Sequence, residues 1–462
     1  MKPKYFLALG LLALGLGTCG ESFFEQCPSN NITEGNCYQT DDDFNQGVVA
    51  CYAKLKTQMS FHLTEIGYRS DENVLESMAV STQDRYDIDH FAETPSNGIL
   101  SDIWDAWYNG IYRCNDVLDH MAGAKIPNYD KYRGECLFLR SWWYFNLYRV
   151  FGVVPVTRTV TAPAAAKLIP RCTEEEMYTL LTEDLAEAAR LLPSTPGPEK
   201  ARVANIAAYT LLAKVYLTFG KPAEAKTALE EAMKNTSYGL ESTTKKVFDV
   251  GNKMNREIIF ALYYNKTNDN GHGYWYSANT EVLADIRNPT PEFKAIYDGE
   301  KDNRLPLIGT YTKISSNLYA MTKWYDTYDA TYTTQVGNDF PHLRYADVVL
   351  MYAEALAESG GSLGDALEWL NKTRTRAGLD ELTTDEVKSL AEFRRELAAE
   401  RGREFALEGH RWFDLVRLGL AVDYFREMGY SLDSHNLIFP IPQNQIEIVN
   451  NPSILWQNPG FN

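Results

Sequence analysis

The sequence is poor in the groups that most catalytic and metal sites require. It has 7 histidines among 462 residues, and none of them falls in a His-Glu-x-x-His or other metal-binding spacing. It contains neither a Gly-x-Ser-x-Gly nucleophile elbow nor a phosphate-binding P-loop. Its 62 acidic residues include no motif that selects the pair of facing carboxylates a glycosidase needs. We therefore expect no enzymatic activity and no bound cofactor or metal.

Basic residues are also outnumbered, because 45 Lys and Arg against 62 Asp and Glu give a formal net charge of −17. An acidic surface of this kind disfavours binding to nucleic acid and to anionic lipid surfaces. No long apolar run follows the N-terminal leader, and no Pro/Gly/Ser-rich linker divides the chain. With 45% hydrophobic residues the composition is that of a globular chain, so we expect one continuous body over residues 19–462.

The N-terminal segment has the features of an export signal. Two lysines precede an apolar run over residues 5–16, which is too short to span a bilayer. The tetrapeptide Leu16-Gly17-Thr18-Cys19 resembles a lipobox, where a leader is cleaved before a cysteine that is then lipidated. We expect residues 1–18 to be removed and Cys19 to carry the acyl chains that hold the protein at a membrane. Secretion with a free or disulfide-bonded Cys19 is the alternative, because Thr18 departs from the usual Gly or Ala.

Six further cysteines have no zinc-site spacing, since there is no Cys-x-x-Cys pair. An exported location permits a disulfide, and Cys27 with Cys37 is the simplest pairing. Cys114 and Cys136 fall on the apolar faces of predicted helices and are expected to be buried thiols.

Helical periodicity dominates the chain outside residues 236–340. Thr40 precedes three aspartates and predicts a helix N-terminus, in preference to a calcium loop that would need a glycine at its sixth position. Thr173 with Glu176 forms a capping box that opens a helix as far as Leu191. Residues 103–115 predict a helix with an aromatic face, and residues 137–151 predict a second helix. The crowded rings of 142–145 could stack on a ligand, but a stripe at helical spacing favours core packing.

Two helical hairpins repeat within the chain. The first covers residues 204–233 with a break at Gly220, and the second covers 342–379 with a break at Gly360-Gly361. Their matched spacing of leucines and alanines indicates tetratricopeptide-like units, which supply scaffold rather than chemistry.

A charged helix is predicted over residues 392–418. Glu400, Glu404 and Glu408 lie four residues apart on one stripe, with Arg401, Arg403 and Arg411 within a turn to compensate them. We favour an ion-pair helix that docks the C-terminal part over a catalytic carboxylate cluster.

The segment 236–340 has a different character, because helical periodicity fades and Tyr, Asn, Gly and Asp become frequent. One short helix is predicted, with Thr290 as its N-cap. Aromatic rings beside amides and carboxylates suit carbohydrate, whose C–H faces pack on rings while its hydroxyls form hydrogen bonds. Peptide ligands can use the same groups, and rings that fill an irregular core are the structural alternative. The candidate ligand-binding residues are Asn270, Tyr274, Trp275, Tyr276, Trp324 and Tyr325, joined by Arg85 and Tyr86 from a predicted loop at 84–91.

The motifs in combination resemble the SusD/RagB family of surface lipoproteins. The resemblance is carried by the run Arg-Tyr-Ala-Asp-Val-x-Leu-Met-Tyr-Ala-Glu-Ala at 344–355, by Asn-x-x-Arg-x-Arg-Ala-Gly-Leu at 371–379 and by the block 408–415. The aromatic segment 140–155 and the proline-rich tail 437–461 extend it over nearly the whole chain.

The resemblance implies a mainly α fold, SusD-like, with tetratricopeptide-type hairpins and a large loop-rich irregular portion. The helical scaffold would occupy about 40–235 and 341–420, the ligand-side segment about 236–340, and an extended tail 430–462. The family role would be capture of a glycan at the outer membrane and its delivery to a SusC-like TonB-dependent transporter. Peptide capture by the same architecture and a scaffold lipoprotein without a small ligand remain alternatives.

Overall fold

The computed structural model describes residues 38–72, 83–197, 199–265, 277–278, 289–299, 301–308, 311–315, 318–324 and 337–461. These residues are mainly helical, as expected. The helices are α1 (Asp41–Gly67), α2 (Gln83–Asp89), α3 (Gly98–His120), α4 (Tyr129–Phe151), α5 (Pro163–Ala166), α6 (Glu174–Leu191), α7 (Asn205–Thr218), α8 (Pro222–Met233), α9 (Thr244–Val247), α10 (Pro291–Ala295), α11 (Leu305–Ile308), α12 (Tyr345–Glu358), α13 (Leu363–Ala377), α14 (Leu390–Phe405), α15 (Arg411–Arg417), α16 (Ala421–Glu427) and α17 (Gln443–Val449).

The helix N-termini follow the capping residues predicted from sequence. The Thr40 hydroxyl accepts from the backbone N–H of Asp43, whose carboxylate in turn accepts from the Thr40 N–H. Thr173 and Glu176 form the same reciprocal pair at the start of α6, which ends at Leu191 as predicted. Each cap satisfies backbone donors that the helix cannot pair internally.

The core of the N-terminal half is built where α3 crosses α4. Trp107 and Trp143 are fully buried there, so both rings are core, as predicted for residues 142–145. Gly110 allows the close approach, because a Cβ at this position would lie 2.2 Å from a ring carbon of Trp143. Cys114 on α3 and Cys136 on α4 are buried free thiols, which confirms that prediction, whereas Cys27 and Cys37 lie outside the described residues.

The two predicted hairpins are present as α7–α8 and α12–α13. Each helix of a pair packs along its partner, and α8 also packs against α12, so the second hairpin continues the first in space. Gly378 ends α13 in a left-handed conformation with φ of 87°, which glycine adopts without steric cost.

Two small antiparallel sheets lie within and beside the irregular segment. One pairs β1 (Ile258–Leu262) with β5 (Phe340–Arg344), and the other orders β2 (Ser277–Ala278), β4 (Leu318–Met321) and β3 (Tyr311–Ser315). The prediction of helix from residue 342 was therefore wrong by three residues. All five residues of β5 are buried, so the alternation of buried and exposed residues that marks a half-buried strand is absent here.

Three other predictions are corrected by the backbone. The helix predicted over 392–418 is two helices, because Leu407 and Gly409 have positive φ values of 63° and 75° that a right-handed helix cannot contain. The loop predicted at 84–91 is largely α2. The extended tail contains α17, whose N-cap is Pro442, a position that requires no backbone donor.

Candidate functional site

Most of the predicted ligand-binding residues lie outside the described part of the chain. These are Asn270, Tyr274, Trp275, Tyr276 and Tyr325, and the same holds for the predicted lipidation site Cys19. The structure does describe Trp324, Arg85 and Tyr86, together with the residues that hold the flanks of the aromatic segment.

Trp324 is a core residue, which corrects its assignment as a ligand-stacking ring. Its side chain is 0% exposed at the end of the short 3-10 helix Thr322–Trp324. The indole packs edge-on against Phe248, with ring centroids 5.1 Å apart, and lies 6.3 Å from Phe340 of β5. A ring enclosed in this way cannot stack on a ligand at the surface.

Arg85 and Tyr86 both already have partners inside the protein. The Arg85 guanidinium donates to both carboxylate oxygens of Glu65 on α1, at 2.7 and 2.5 Å. The Tyr86 ring stacks on His90, one turn later in the same segment, with centroids 3.8 Å apart. Arg85 therefore positions α2 against α1, and both side chains are half-buried.

The loop after α2 is fixed by a buried arginine. Arg69 donates to Glu93 and to the carbonyl of Asn436, the latter at 2.9 Å. Its guanidinium also lies between the rings of Phe91 and Phe439, 4.4 and 4.5 Å from their centroids. This arrangement ties α1, the loop before α3 and the C-terminal tail together by cation–π and ionic contacts.

A buried ion-pair network connects the irregular segment to α14, and Arg344 at the end of β5 is its centre. Its Nη1 donates to Glu257 at 2.8 Å and to Glu404 at 2.6 Å, and its Nε and Nη2 donate to Glu408 at 2.8 and 2.9 Å. All four side chains are at most 2% exposed. Charges this deeply buried are tolerated because each is paired and hydrogen-bonded.

Arg304 and Lys323 extend the network along the irregular segment. Arg304, just before α11, donates to Asp302, to Glu400 at 2.8 Å and to Glu404 at 3.0 Å. Lys323 donates to Glu408 at 2.7 Å and to the carbonyl of Ala406. The backbone at positions 302–304 and 323 is thereby held against α14 and the turn that follows it.

The glutamates of the 392–418 block are thus in ion pairs, although mostly not with the partners predicted. Arg403 does pair with Glu400, at 3.1 Å. Arg401 instead pairs with Asp347 and Asp414, and Arg411 with Asp71. These contacts join elements that are distant in sequence, which a helical-wheel argument cannot reveal.

Glu404 stays ionised within the network. Burial alone would raise its pKa, but Arg376, Arg344 and Arg304 outweigh this effect and hold the pKa well below its usual range. A carboxylate that stays ionised and paired has no proton to donate, so Glu404 does not supply a general acid. Burial raises the pKa of Glu257, the partner of Arg344 and Arg376.

A groove lies elsewhere, along one face of α3. It has a volume of about 350 Å³ and runs between α3, the connection 155–169 and α17. Trp104, Tyr108 and Tyr112 line one wall at four-residue spacing, and Tyr112 is 50% exposed. The sequence predicts an aromatic face for this helix, without indicating that one part of it is open. The face of α3 that is turned to the core carries Trp107 and Ile111. The rings spaced four residues apart beside it, from 104 to 112, were the sequence signal for a second, open face.

Comparison with known proteins decides the family. Residues 305–461 match the profile described as "SusD family", and residues 31–217 match the profile described as "Starch-binding associating with outer membrane". The chain belongs to the SusD/RagB family. Both profiles fall on segments whose motifs carried the resemblance in the sequence.

Full-length relatives of this SusD/RagB protein agree with that assignment. SusD-like protein P2 of Formosa agariphila is 25% identical over 511 aligned residues, which cover 99% of this chain and all of that protein. Two solved structures share the fold: a "Laminarin binding SusD-like protein" (TM-score 0.74, 24% identity, 92% of this chain and 100% of that one) and surface glycan-binding protein A from Bacteroides thetaiotaomicron in complex with laminarihexaose (TM-score 0.74, 22% identity, 91% and 99%).

The family assignment also fixes the class of protein and its cellular location. SusD/RagB proteins are non-catalytic and associate with the outer membrane, so the chain is a surface binding protein rather than an enzyme. Among the residues that the structure describes, no helix is long and apolar enough to cross a membrane. The same residues contain no group of three or more His, Cys, Asp or Glu side chains arranged to hold a metal ion.

Proposed function

We propose that this SusD/RagB protein is a lipid-anchored, surface-exposed lipoprotein that captures a glycan and passes it to a SusC-like TonB-dependent transporter. The observation that carries the proposal is the match to a starch-binding profile, together with a fold shared over 92% of the chain with a laminarin-binding protein. The anchor would be the acylated Cys19. The ligand would be an oligosaccharide, with a peptide as the competing outcome of the test.

The ligand face in this proposal is formed by the aromatic segment. Tyr274, Trp275, Tyr276, Asn270 and Tyr325 supply rings and an amide in a stretch that lies outside the helical repeats. The described residues support this arrangement indirectly, because the ion-pair network holds the flanks of the stretch at 302–304 and 323. Rigid attachment favours ligand binding, because a segment that is already ordered loses less conformational entropy when the ligand binds.

The test is a binding panel on the mature, unlipidated chain. Soluble oligosaccharides of defined linkage, including laminarihexaose and maltohexaose, are titrated calorimetrically beside pools of unrelated peptides. The proposal predicts saturable binding of at least one oligosaccharide, and Trp275→Ala or Tyr276→Ala should weaken it roughly ten- to hundredfold at unchanged melting temperature. Binding of peptides but of no oligosaccharide would replace the glycan assignment by peptide capture.

Transfer to a transporter is tested separately. Co-expression with a SusC-like TonB-dependent transporter from the same organism, followed by detergent extraction, should yield a complex that survives affinity purification. Recovery of the lipoprotein alone, with the transporter equally abundant in the membrane, would argue against the partnership.

A further inference from the structure

The groove along α3 has two chemically different walls that face each other. One wall is the aromatic stripe Trp104, Tyr108 and Tyr112, in which the first two rings lie 5.0 Å apart. The other is aliphatic, with Ile448 and Val449 from α17. The Tyr108 hydroxyl donates to the carbonyl of Pro155 at 2.7 Å, which holds its ring in the wall. The Tyr108 ring is therefore held in place before any ligand binds.

Polar groups with unused hydrogen-bonding capacity line the same groove. Asp105 accepts from the Gln445 amide at 2.9 Å with one carboxylate oxygen, which leaves the other oxygen available. At the other side, the Lys167 ammonium and the Thr159 hydroxyl have no hydrogen-bond or ion-pair partner within the described part of the chain. Partial burial, followed by the neighbouring Asp102, raises the pKa of Asp105. These groups converge on an otherwise apolar concavity, the combination expected of a small-molecule site.

We propose that this groove is a second saccharide-binding site, lined by other residues than the aromatic segment 268–276, which takes one or two sugar rings of the captured glycan. The inference rests on the proposed glycan function. A saccharide ring matches both walls, because its C–H face packs on Tyr112 and Tyr108 while its hydroxyls reach Asp105, Thr159 and Lys167. A purely apolar ligand would leave those polar groups desolvated without partners, which costs free energy. The volume of about 350 Å³ lies in the range of small-ligand pockets and is too small for a folded partner.

Tyr112 is the residue that tests the site with least risk to the fold. Its side chain is half exposed, and its hydroxyl has no hydrogen-bond partner among the residues described, so truncation removes little of the core. Tyr112→Ala should lower the affinity for a bound hexasaccharide roughly tenfold or more, or remove one of two binding events. Tyr112→Phe keeps the ring and should bind as the wild type does. Ala166→Trp, at an exposed position in the groove, should block binding by filling the space.

The experiment uses the same hexasaccharides on the mature chain, with melting temperatures measured for every variant. If the wild type binds a hexasaccharide and both Tyr112→Ala and Ala166→Trp bind it equally well, the second site is refuted while the glycan function stands. If Trp275→Ala abolishes all binding and the groove variants change nothing, the same conclusion follows. If the wild type binds none of the oligosaccharides, the glycan function and this inference fail together. Loss of peptide binding alone in Tyr112→Ala would assign the groove to peptide instead.

Discussion

Replacing Trp324 separates a structural role from a ligand-binding role in the segment whose composition points to binding. The indole is 0% exposed and in contact with Phe248, so Trp324→Ala leaves a cavity at the junction of β5 and the short helix 322–324. Truncating a fully buried Trp or Phe costs roughly 3–5 kcal/mol of unfolding free energy, from lost transfer free energy and from the cavity. We expect a loss in this range.

The assay is urea unfolding followed by circular dichroism, with ligand titration at a temperature where the variant stays folded. Trp456→Ala is the matched control, because this indole is 41% exposed and mainly covers Arg171, so about 1 kcal/mol should be lost. On the folded Trp324→Ala protein the affinity for glycan should be unchanged. Wild-type stability combined with lost binding in Trp324→Ala would refute the assignment of this residue to the core.

Three further predictions follow from the sequence and from the buried charges. Cys19→Ala should release the protein from the outer-membrane fraction, and continued retention in cells lacking the transporter would reject lipid anchoring. Arg411→Ala leaves the buried Asp71 carboxylate without its bidentate partner and should lower the free energy of urea unfolding by roughly 3–5 kcal/mol. Ligand affinity of the folded variant should not change. Normal stability combined with lost binding would instead place the block 408–415 in the ligand-binding site. Burial, then Lys214 and Arg149, lowers the pKa of His342 to about 3, so only the unfolded chain binds this proton between pH 3 and about 6.5. Stability therefore falls as the pH drops through this window, and His342→Phe should reduce the loss between pH 7 and 5 by about 2 kcal/mol; an unchanged pH slope would contradict the assignment.

Local sequence signals were sufficient to predict those features of the fold that depend on residues close together in the chain. Thr40 and Thr173 specify helix starts through residues three positions away, and the glycine breaks specify the hairpins. The positive φ of Leu407 is different, because a leucine carries no sequence signal for a left-handed conformation. The charged helix was for that reason predicted as continuous.

The candidate site was harder to predict, since burial is decided by partners that are remote in sequence. Trp324 lies in a stretch rich in Tyr, Asp and Thr, a composition typical of an exposed segment. It is nevertheless buried, and it contacts Phe248, which lies 76 residues earlier in the chain. Likewise Glu404 pairs with Arg304 and Arg344, which are 100 and 60 residues away. A sequence pattern shows that the charges occur, but not which of them meet.

The ion-pair network has a consequence for how the ligand face can vary. Removing one member of a buried pair leaves an uncompensated charge and costs several kcal/mol, so Arg304, Lys323 and Arg344 act as fixed points of the backbone. Substitutions at these three positions should therefore lower the free energy of unfolding of the whole protein. Under the proposed function, substitutions at Tyr274, Trp275 or Tyr276 change the rings offered to a ligand and leave these ion pairs as they are. The proposal therefore predicts that ligand specificity can be changed separately from folding, because the proposed recognition residues and the ion-paired residues are different ones.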